Sequence, residues 1–75
     1  MGTIKEIEIK TKDICLDQFL KWANMVQSGG EAKYLIQAGM VKVNGKREKR
    51  RNKKLVLGDM VEIDGIGHFI VVTAE

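Results

Sequence analysis

Lysine and arginine side chains are the groups in this chain best placed to do chemistry, because most of them fall in one short stretch. The 75 residues include 13 lysines and arginines, and eight of these lie between Lys42 and Lys54, with Glu48 as the only acid among them. This stretch, the basic segment, carries +7, whereas the other 62 residues carry −4. Such a concentration of cations predicts a polyanionic partner. The alternative is a solvated hairpin whose lysines only promote solubility.

Side chains suited to catalysis are scarce. Cys15 and His68 are the only thiol and the only imidazole, and no local motif pairs them as a nucleophile and its base. We expect Cys15 to be a small, half-buried hydrophobe and His68 to be a surface or edge-strand residue. Asp59 and Asp64 each adjoin a glycine, where aspartate commonly shapes a turn. A domain of this length also has little room for an enclosed cavity, so we predict no catalytic residue, no metal site and no cofactor.

A second feature suited to phosphate binding lies at Gly29 and Gly30. Their amides open a predicted helix, and a helix N-terminus carries a partial positive charge that favours anions. The alternative is purely structural, because Ser28 and Glu31 have the spacing of a capping box. In that motif the Ser28 hydroxyl accepts from the Glu31 amide, and the Glu31 carboxylate accepts from the Ser28 amide.

Four other side chains of the predicted helices bear on binding. Lys33 and Gln37 lie four residues apart, so they share one exposed helix face that extends toward the basic segment. Trp22 and Tyr34 are aromatic side chains that can stack on a nucleobase, but we expect both to pack against the core.

Hydrophobic periodicity divides the chain into strands and two short helices. Isoleucines alternate with charged residues over residues 5–10, which predicts a strand, and apolar residues at helical spacing predict a helix over residues 15–24. A second helix of about ten residues should open at Ser28 and end at Gly39. Beyond it, Asn44-Gly45 predicts a type I′ hairpin turn, and alternating apolar residues predict an all-β remainder. These elements form one domain over residues 1–75.

The same sequence indicates a cellular compartment. A single cysteine excludes an intramolecular disulfide, which favours a reducing cytosol. No stretch approaches the ~20 apolar residues that cross a bilayer, and residues 1–10 alternate charge with isoleucine where a signal peptide would be apolar. We therefore expect a cytoplasmic protein with no membrane partner.

Several motifs occur in an order that resembles one known family. The chain contains Leu16-Asp-Gln-Phe-Leu20, Ser28-Gly-Gly-Glu-Ala-Lys33, Leu35-Ile36, Gly39, Val41-Lys-Val-Asn-Gly45 and Gly58-Asp59, followed by Val61 and Ile63. Over residues 15–63 these motifs resemble the RNA-binding domain named after small-subunit ribosomal protein S-four. The serine-glycine-glycine-glutamate form, in a chain of one domain, is similar to the stand-alone YaaA/YbcJ-like members, small bacterial proteins regarded as binding RNA or ribosomal particles.

The resemblance implies an α+β fold in which two short N-terminal helices pack on a small, mostly antiparallel sheet, an arrangement called the alpha-L motif. It also implies binding of structured RNA, such as ribosomal RNA or a ribosomal particle, through shape and phosphate contacts. Many members have arginine where this chain has Cys15 and Gly29, so those contacts do not transfer and the basic segment is expected to supply the charge. The predicted RNA-binding residues are Ser28, Gly29, Gly30, Lys33, Gln37, Lys42, Asn44, Gly45, Lys46, Arg47, Lys49, Arg50, Arg51 and Lys53.

Two other functions compete with RNA binding. A β-grasp carrier or protein-interaction module also combines valine-asparagine-glycine with a later glycine-aspartate, but such carriers end in a diglycine, whereas this chain ends Val72-Thr-Ala-Glu75. A DNA-binding module would use the same basic surface. We expect a monomer that takes no small-molecule substrate.

Overall fold

The computed structural model describes residues 3–73 of the chain. Two helices lie near the N-terminus, between the second and third of seven strands, and strands make up most of the remainder. In chain order the elements are β1 (Ile4–Ile9), β2 (Asp13–Cys15), α1 (Leu16–Trp22), α2 (Gly29–Gln37), β3 (Val41–Val43), β4 (Lys46–Arg47), β5 (Lys54–Val56), β6 (Met60–Ile63) and β7 (Gly67–Thr73).

Five strands form the main sheet, in the order β1-β7-β6-β3-β4. β1 pairs with β7 in parallel, and the other three pairings are antiparallel. β2 and β5 form a separate antiparallel pair, with Ile14 opposite Leu55. The sheet is therefore mostly antiparallel, and the predicted α+β fold of two short helices on such a sheet is confirmed.

One face of the main sheet packs against the helices. The strand register aligns Val43 with Val61, and Val61 with Phe69, so the period-two pattern places these side chains on the same buried face. Each helix adds a stripe of buried residues to this face, and burial of each large side chain contributes about 1.5–3 kcal/mol. The helix residues of the core are Leu16, Phe19, Leu20, Ala32 and Ile36.

The first helix is shorter than the predicted 15–24, because the chain leaves helical geometry at its C-terminal end. Ala23 is the C-cap, and Asn24 adopts a left-handed conformation with φ of 60°. The second helix follows the prediction closely. Ser28 is its N-cap, and Gly39 follows its C-cap with φ of 78°, the left-handed conformation that glycine adopts without strain.

Half of the predicted capping box is wrong. Ser28 Oγ accepts a hydrogen bond from the Glu31 amide at 3.2 Å, as expected. The Glu31 carboxylate instead accepts from the amide of Gln27, at 2.8 Å, one residue before the expected donor. Ser28 keeps the extended φ and ψ of an N-cap residue, and the Glu31 carboxylate binds the amide just before it.

The predicted burial of both helix aromatics is also wrong. Trp22 is 51% exposed and Tyr34 is 68% exposed, because the core side of each helix is already filled by smaller apolar residues. His68 lies at the surface but not on an edge strand, since β7 pairs with strands on both sides; its Nε2 lies 3.5 Å from Glu62. Cys15 is a free, half-buried thiol, as predicted.

Neither α1 nor α2, the helices of residues 3–73, is long enough to cross a membrane, since they have seven and nine residues. Within the same residues, no three histidine, cysteine, aspartate or glutamate side chains lie close enough together to bind a metal ion.

Candidate nucleic-acid interface

The basic segment follows a folded path from one edge of the main sheet to the small β2–β5 pair. Its first part, residues 42–47, belongs to the β3–β4 hairpin, which confirms the predicted start. Residues 48–53 then form a loop, and Lys54 opens β5. The hairpin therefore holds only the first part of the basic segment, because β4 has only two residues before the chain leaves the sheet.

Glu48 organises this loop from within. Its amide donates to the carbonyl of Val41 at 2.9 Å, and its Oε2 accepts from both the amide and Nε of Arg50, each at 3.1 Å. The side chain of Glu48 is only 15% exposed, whereas that of Arg50 is 73% exposed. The hydrogen bond from Arg50 lowers the pKa of Glu48 below its ordinary value. The only acid of the segment is thus turned inward, and most of the Arg50 side chain faces solvent.

Backbone groups of the same loop bind the start of α1. The amide of Leu16 donates to the carbonyl of Lys53 at 2.8 Å, and the amide of Asp17 donates to the carbonyl of Arg51 at 3.1 Å. Cys15, the N-cap residue, makes no side-chain cap, so these carbonyls satisfy amides that a helix start otherwise leaves free. The loop is therefore held against α1 while its charged side chains extend outward.

The C-terminal end of α2 meets the basic segment at Gly39. Arg47 Nη1 donates to the Gly39 carbonyl and lies 3.7 Å from Asp64 Oδ2. A Cβ atom on Gly39 would lie 3.3 Å from Arg47 Cδ and 3.6 Å from Lys49 Cε. The absence of a side chain at Gly39 thus allows both basic side chains to pass close to the helix end.

The predicted Asn44-Gly45 turn is confirmed, since φ is 53° at Asn44 and 86° at Gly45. The side chain of Asn44 also links two turns. Its Nδ2 donates to Asp59 Oδ1 at 3.1 Å, and its Oδ1 accepts from the Met60 amide at 2.9 Å. Asp59 Oδ2 accepts in turn from the Val56 amide at 2.9 Å, so Asn44 and Asp59 hold the basic hairpin against the start of β6.

The predicted RNA-binding residues fall into two groups along α2. The basic segment adjoins its C-terminal end, whereas Ser28, Gly29 and Gly30 lie at its N-terminal end, about 13 Å away for a helix of nine residues. The N-terminal end is sterically open, because a Cβ atom on Gly29 would meet nothing within 4 Å. Lys33 and Gln37 are exposed on the helix between the two groups.

Exposure varies within the basic segment. Lys42 and Lys53 are half-buried, and Lys42 lies between Arg47 and Glu62 in the strand register. Lys54, which the prediction left out, is exposed and lies 3.9 Å from Asp13. The prediction also missed the organising role of Glu48, although its position as the single acid among eight bases is a signal that the sequence contains. The remaining exposed bases are Lys46, Arg47, Lys49, Arg50 and Arg51.

Comparison with known proteins agrees with this arrangement. Residues 7–72 match the S4 domain. The chain is 50% identical over 66 residues to the probable ribosome maturation protein RlbA of Bacillus subtilis strain 168, an alignment that covers 88% of this chain and 93% of that protein. Its fold is similar to the crystal structure of the 30S ribosomal protein S4e from Thermoplasma acidophilum, with a TM-score of 0.56 and 25% identity over 75% of this chain and 30% of the larger protein. The paired helices, the Asn-Gly hairpin and the match over nearly the full length together establish that this chain belongs to the S4 domain family.

Proposed function

We propose that this protein binds structured RNA, and specifically ribosomal RNA or a maturing ribosomal particle, through the basic segment and the adjoining face of α2. The observation that carries the proposal is the construction of the loop over residues 48–53. Backbone hydrogen bonds and Glu48 fix its path, while Lys49, Arg50 and Arg51 remain exposed. A fixed array of exposed cations binds a phosphate backbone without first having to order a flexible chain.

The family and the relatives support RNA as the polyanion. One relative is named a ribosome maturation protein and a second is a protein of the small ribosomal subunit. Folded RNA presents phosphates on closely spaced, irregular surfaces, which suits a compact cluster of cations better than an extended groove. We expect a monomer that acts in the cytoplasm without a catalytic step.

Recognition of RNA by this surface should depend mainly on the RNA phosphates and on the shape of the folded RNA. The basic side chains outnumber the exposed aromatic ones at this surface, and phosphate contacts position a protein without reading base identity. If about half of the eight bases of the basic segment neutralise phosphates, log affinity should fall with log salt concentration at a slope of about −3 to −4.

The test is the RNA affinity of a variant that loses two exposed charges, Lys49→Gln with Arg51→Gln. These residues are chosen because neither side chain is hydrogen-bonded to Glu48, and the carbonyl of Arg51 that binds α1 is unchanged. We expect binding to a structured ribosomal RNA fragment to weaken at least about tenfold and the salt slope to flatten by about 1.5–2. The melting temperature should change little, because exposed charges contribute little to folding.

Lys5→Glu is the matched control, since it changes the net charge by the same amount on β1, at the opposite edge of the main sheet from β4. Its RNA affinity should stay within about twofold of the wild type, because charges separated by more than a Debye length are screened. If the control loses as much RNA affinity as the double variant, the loss follows from net charge alone and a specific basic surface is refuted. Tighter binding to duplex DNA than to structured RNA, measured in the same assay, would refute RNA as the ligand.

Crosslinking in cells followed by sequencing of the bound RNA tests the ribosomal part of the proposal. Ribosomal RNA, or its precursor, should be enriched over messenger and transfer RNA. Enrichment should fall in the Lys49→Gln, Arg51→Gln variant and persist in Lys5→Glu. A bound population without ribosomal RNA would contradict a ribosomal target.

A further inference from the structure

A groove beside the C-terminal end of α1 lies outside the basic segment and the exposed face of α2. It runs between α1 and the connection from β1 to β2, and Ile9 and Ile14 form its apolar floor. Trp22 forms one wall, and Lys10 and Lys21 flank it. Among the described residues that line the groove, two are lysines and none is acidic.

Trp22 is held in a fixed position while half of its surface stays open. Its indole Nε1 donates to the backbone carbonyl of Glu8 at 2.6 Å, and the side chain is 51% exposed. Because β1 is an edge strand, this bond also covers part of an unpaired strand edge. Because the indole N–H is already hydrogen-bonded, a ligand that covers the ring leaves no donor unpaired. Because the ring is already fixed, it loses little conformational entropy when a ligand stacks on it.

The groove and the basic segment lie at opposite ends of α1. The N-terminal end of this helix binds the carbonyls of Arg51 and Lys53, and Trp22 is its last residue. A helix of seven residues is about 10 Å long, so an RNA strand whose phosphates contact the basic segment reaches the groove within a few nucleotides. Lys10 and Lys21 are two of the five bases outside the basic segment, and both line this groove.

We propose that this groove binds an unpaired nucleobase of the same RNA, stacked on Trp22, with Lys10 and Lys21 contacting the flanking phosphates. The inference rests on the proposed function and adds single-stranded RNA next to a folded region as the preferred substrate. An apolar floor, one exposed aromatic face and flanking cations are the combination that proteins use for single-stranded nucleic acid. Stacking accepts any base, so the groove adds affinity for unpaired RNA with little sequence preference.

Trp22 is the only tryptophan in the chain, so its fluorescence reports on this groove without labelling. The probes are one RNA stem-loop with an unpaired overhang of about eight nucleotides and the same stem-loop with a blunt end. We expect the overhang RNA to quench the Trp22 emission and to bind more tightly, and the blunt RNA to bind without quenching. Inorganic polyphosphate, a polyanion without bases, should also leave the emission unchanged.

Substitution of Trp22 separates stacking from the structural role of the side chain. Trp22→Leu should weaken binding of the overhang RNA about 5- to 150-fold and leave the blunt RNA unaffected. Trp22→Phe keeps an aromatic ring but lacks the donor to Glu8, and it should retain most of the preference for the overhang. A Trp22→Phe variant as weak as Trp22→Leu would assign the side chain to covering the strand edge and would overturn the stacking proposal.

The two proposals fail in different ways. If both RNAs bind equally, the emission stays constant and Lys49→Gln with Arg51→Gln still weakens both, the groove proposal is wrong and the basic segment remains the RNA-binding surface. If neither RNA binds, the proposed function fails and the groove proposal fails with it. Quenching by the overhang RNA alone, together with its tighter binding than that of the blunt RNA, supports both.

Discussion

Substitution of Asn44 tests whether the basic hairpin is held by its turn chemistry. Asn44→Ala removes two side-chain hydrogen bonds, to Asp59 Oδ1 and from the Met60 amide, each worth about 0.5–1.5 kcal/mol. It also places alanine at a φ of 53°, and a left-handed conformation costs an ordinary residue about 1–2 kcal/mol. We therefore expect the free energy of unfolding to fall by about 2–5 kcal/mol, a large part of the stability of a small domain.

Asn44→Gly separates the two contributions. Glycine loses the same hydrogen bonds but adopts positive φ without strain, so this variant should be more stable than Asn44→Ala by about 0.5–1 kcal/mol. Asn52→Ala is the matched control, because Asn52 is an exposed loop residue without a positive φ, and it should change stability by less than about 0.5 kcal/mol.

Urea denaturation followed by far-UV circular dichroism measures these differences. Two results would refute the reasoning: a loss below about 0.5 kcal/mol in Asn44→Ala, or a glycine variant less stable than the alanine variant. The first would mean that water replaces both hydrogen bonds at no cost, and the second that the left-handed conformation adds no strain.

Two further predictions concern the core and the basic segment. Leu20→Ala should lower the free energy of unfolding by about 2–5 kcal/mol, because Leu20 is fully buried in the core; a loss below about 1 kcal/mol in denaturant melts would contradict its place in the core. Glu48→Gln should be less stable than the wild type at neutral pH, because the bond from Arg50 lowers the pKa of Glu48 in the folded state and so adds stability above the ordinary glutamate pKa of about 4.3. Melts recorded across a pH series should show this difference in stability disappear as pH falls through the lowered pKa of Glu48. A difference that persists in acid would show that the Glu48 charge does not stabilise the loop.

Local sequence signals were sufficient to predict most of the individual elements. The Asn44-Gly45 turn, the cap at Ser28 and the glycine after α2 depend on backbone conformation and on hydrogen bonds within a few residues, which the residue types already specify. The alternation of apolar residues likewise specified which strand face is buried, since side chains of a strand alternate between its two faces. The net charge of the basic segment is a property of sequence alone.

Contacts between residues distant in the chain were decided only by the tertiary structure. The α1 amides bind carbonyls of Arg51 and Lys53, more than thirty positions away, and no propensity at Leu16 or Asp17 encodes that partner. Trp22 is exposed because Leu16, Phe19 and Leu20 are the α1 side chains that fill the core, which depends on packing volume and not on the hydrophobicity of the tryptophan. Residue types thus determined the elements and the charge. The tertiary fold determined which helix ends the charged loop contacts and which aromatic ring stays exposed, because these two features depend on how separate elements fill a common core.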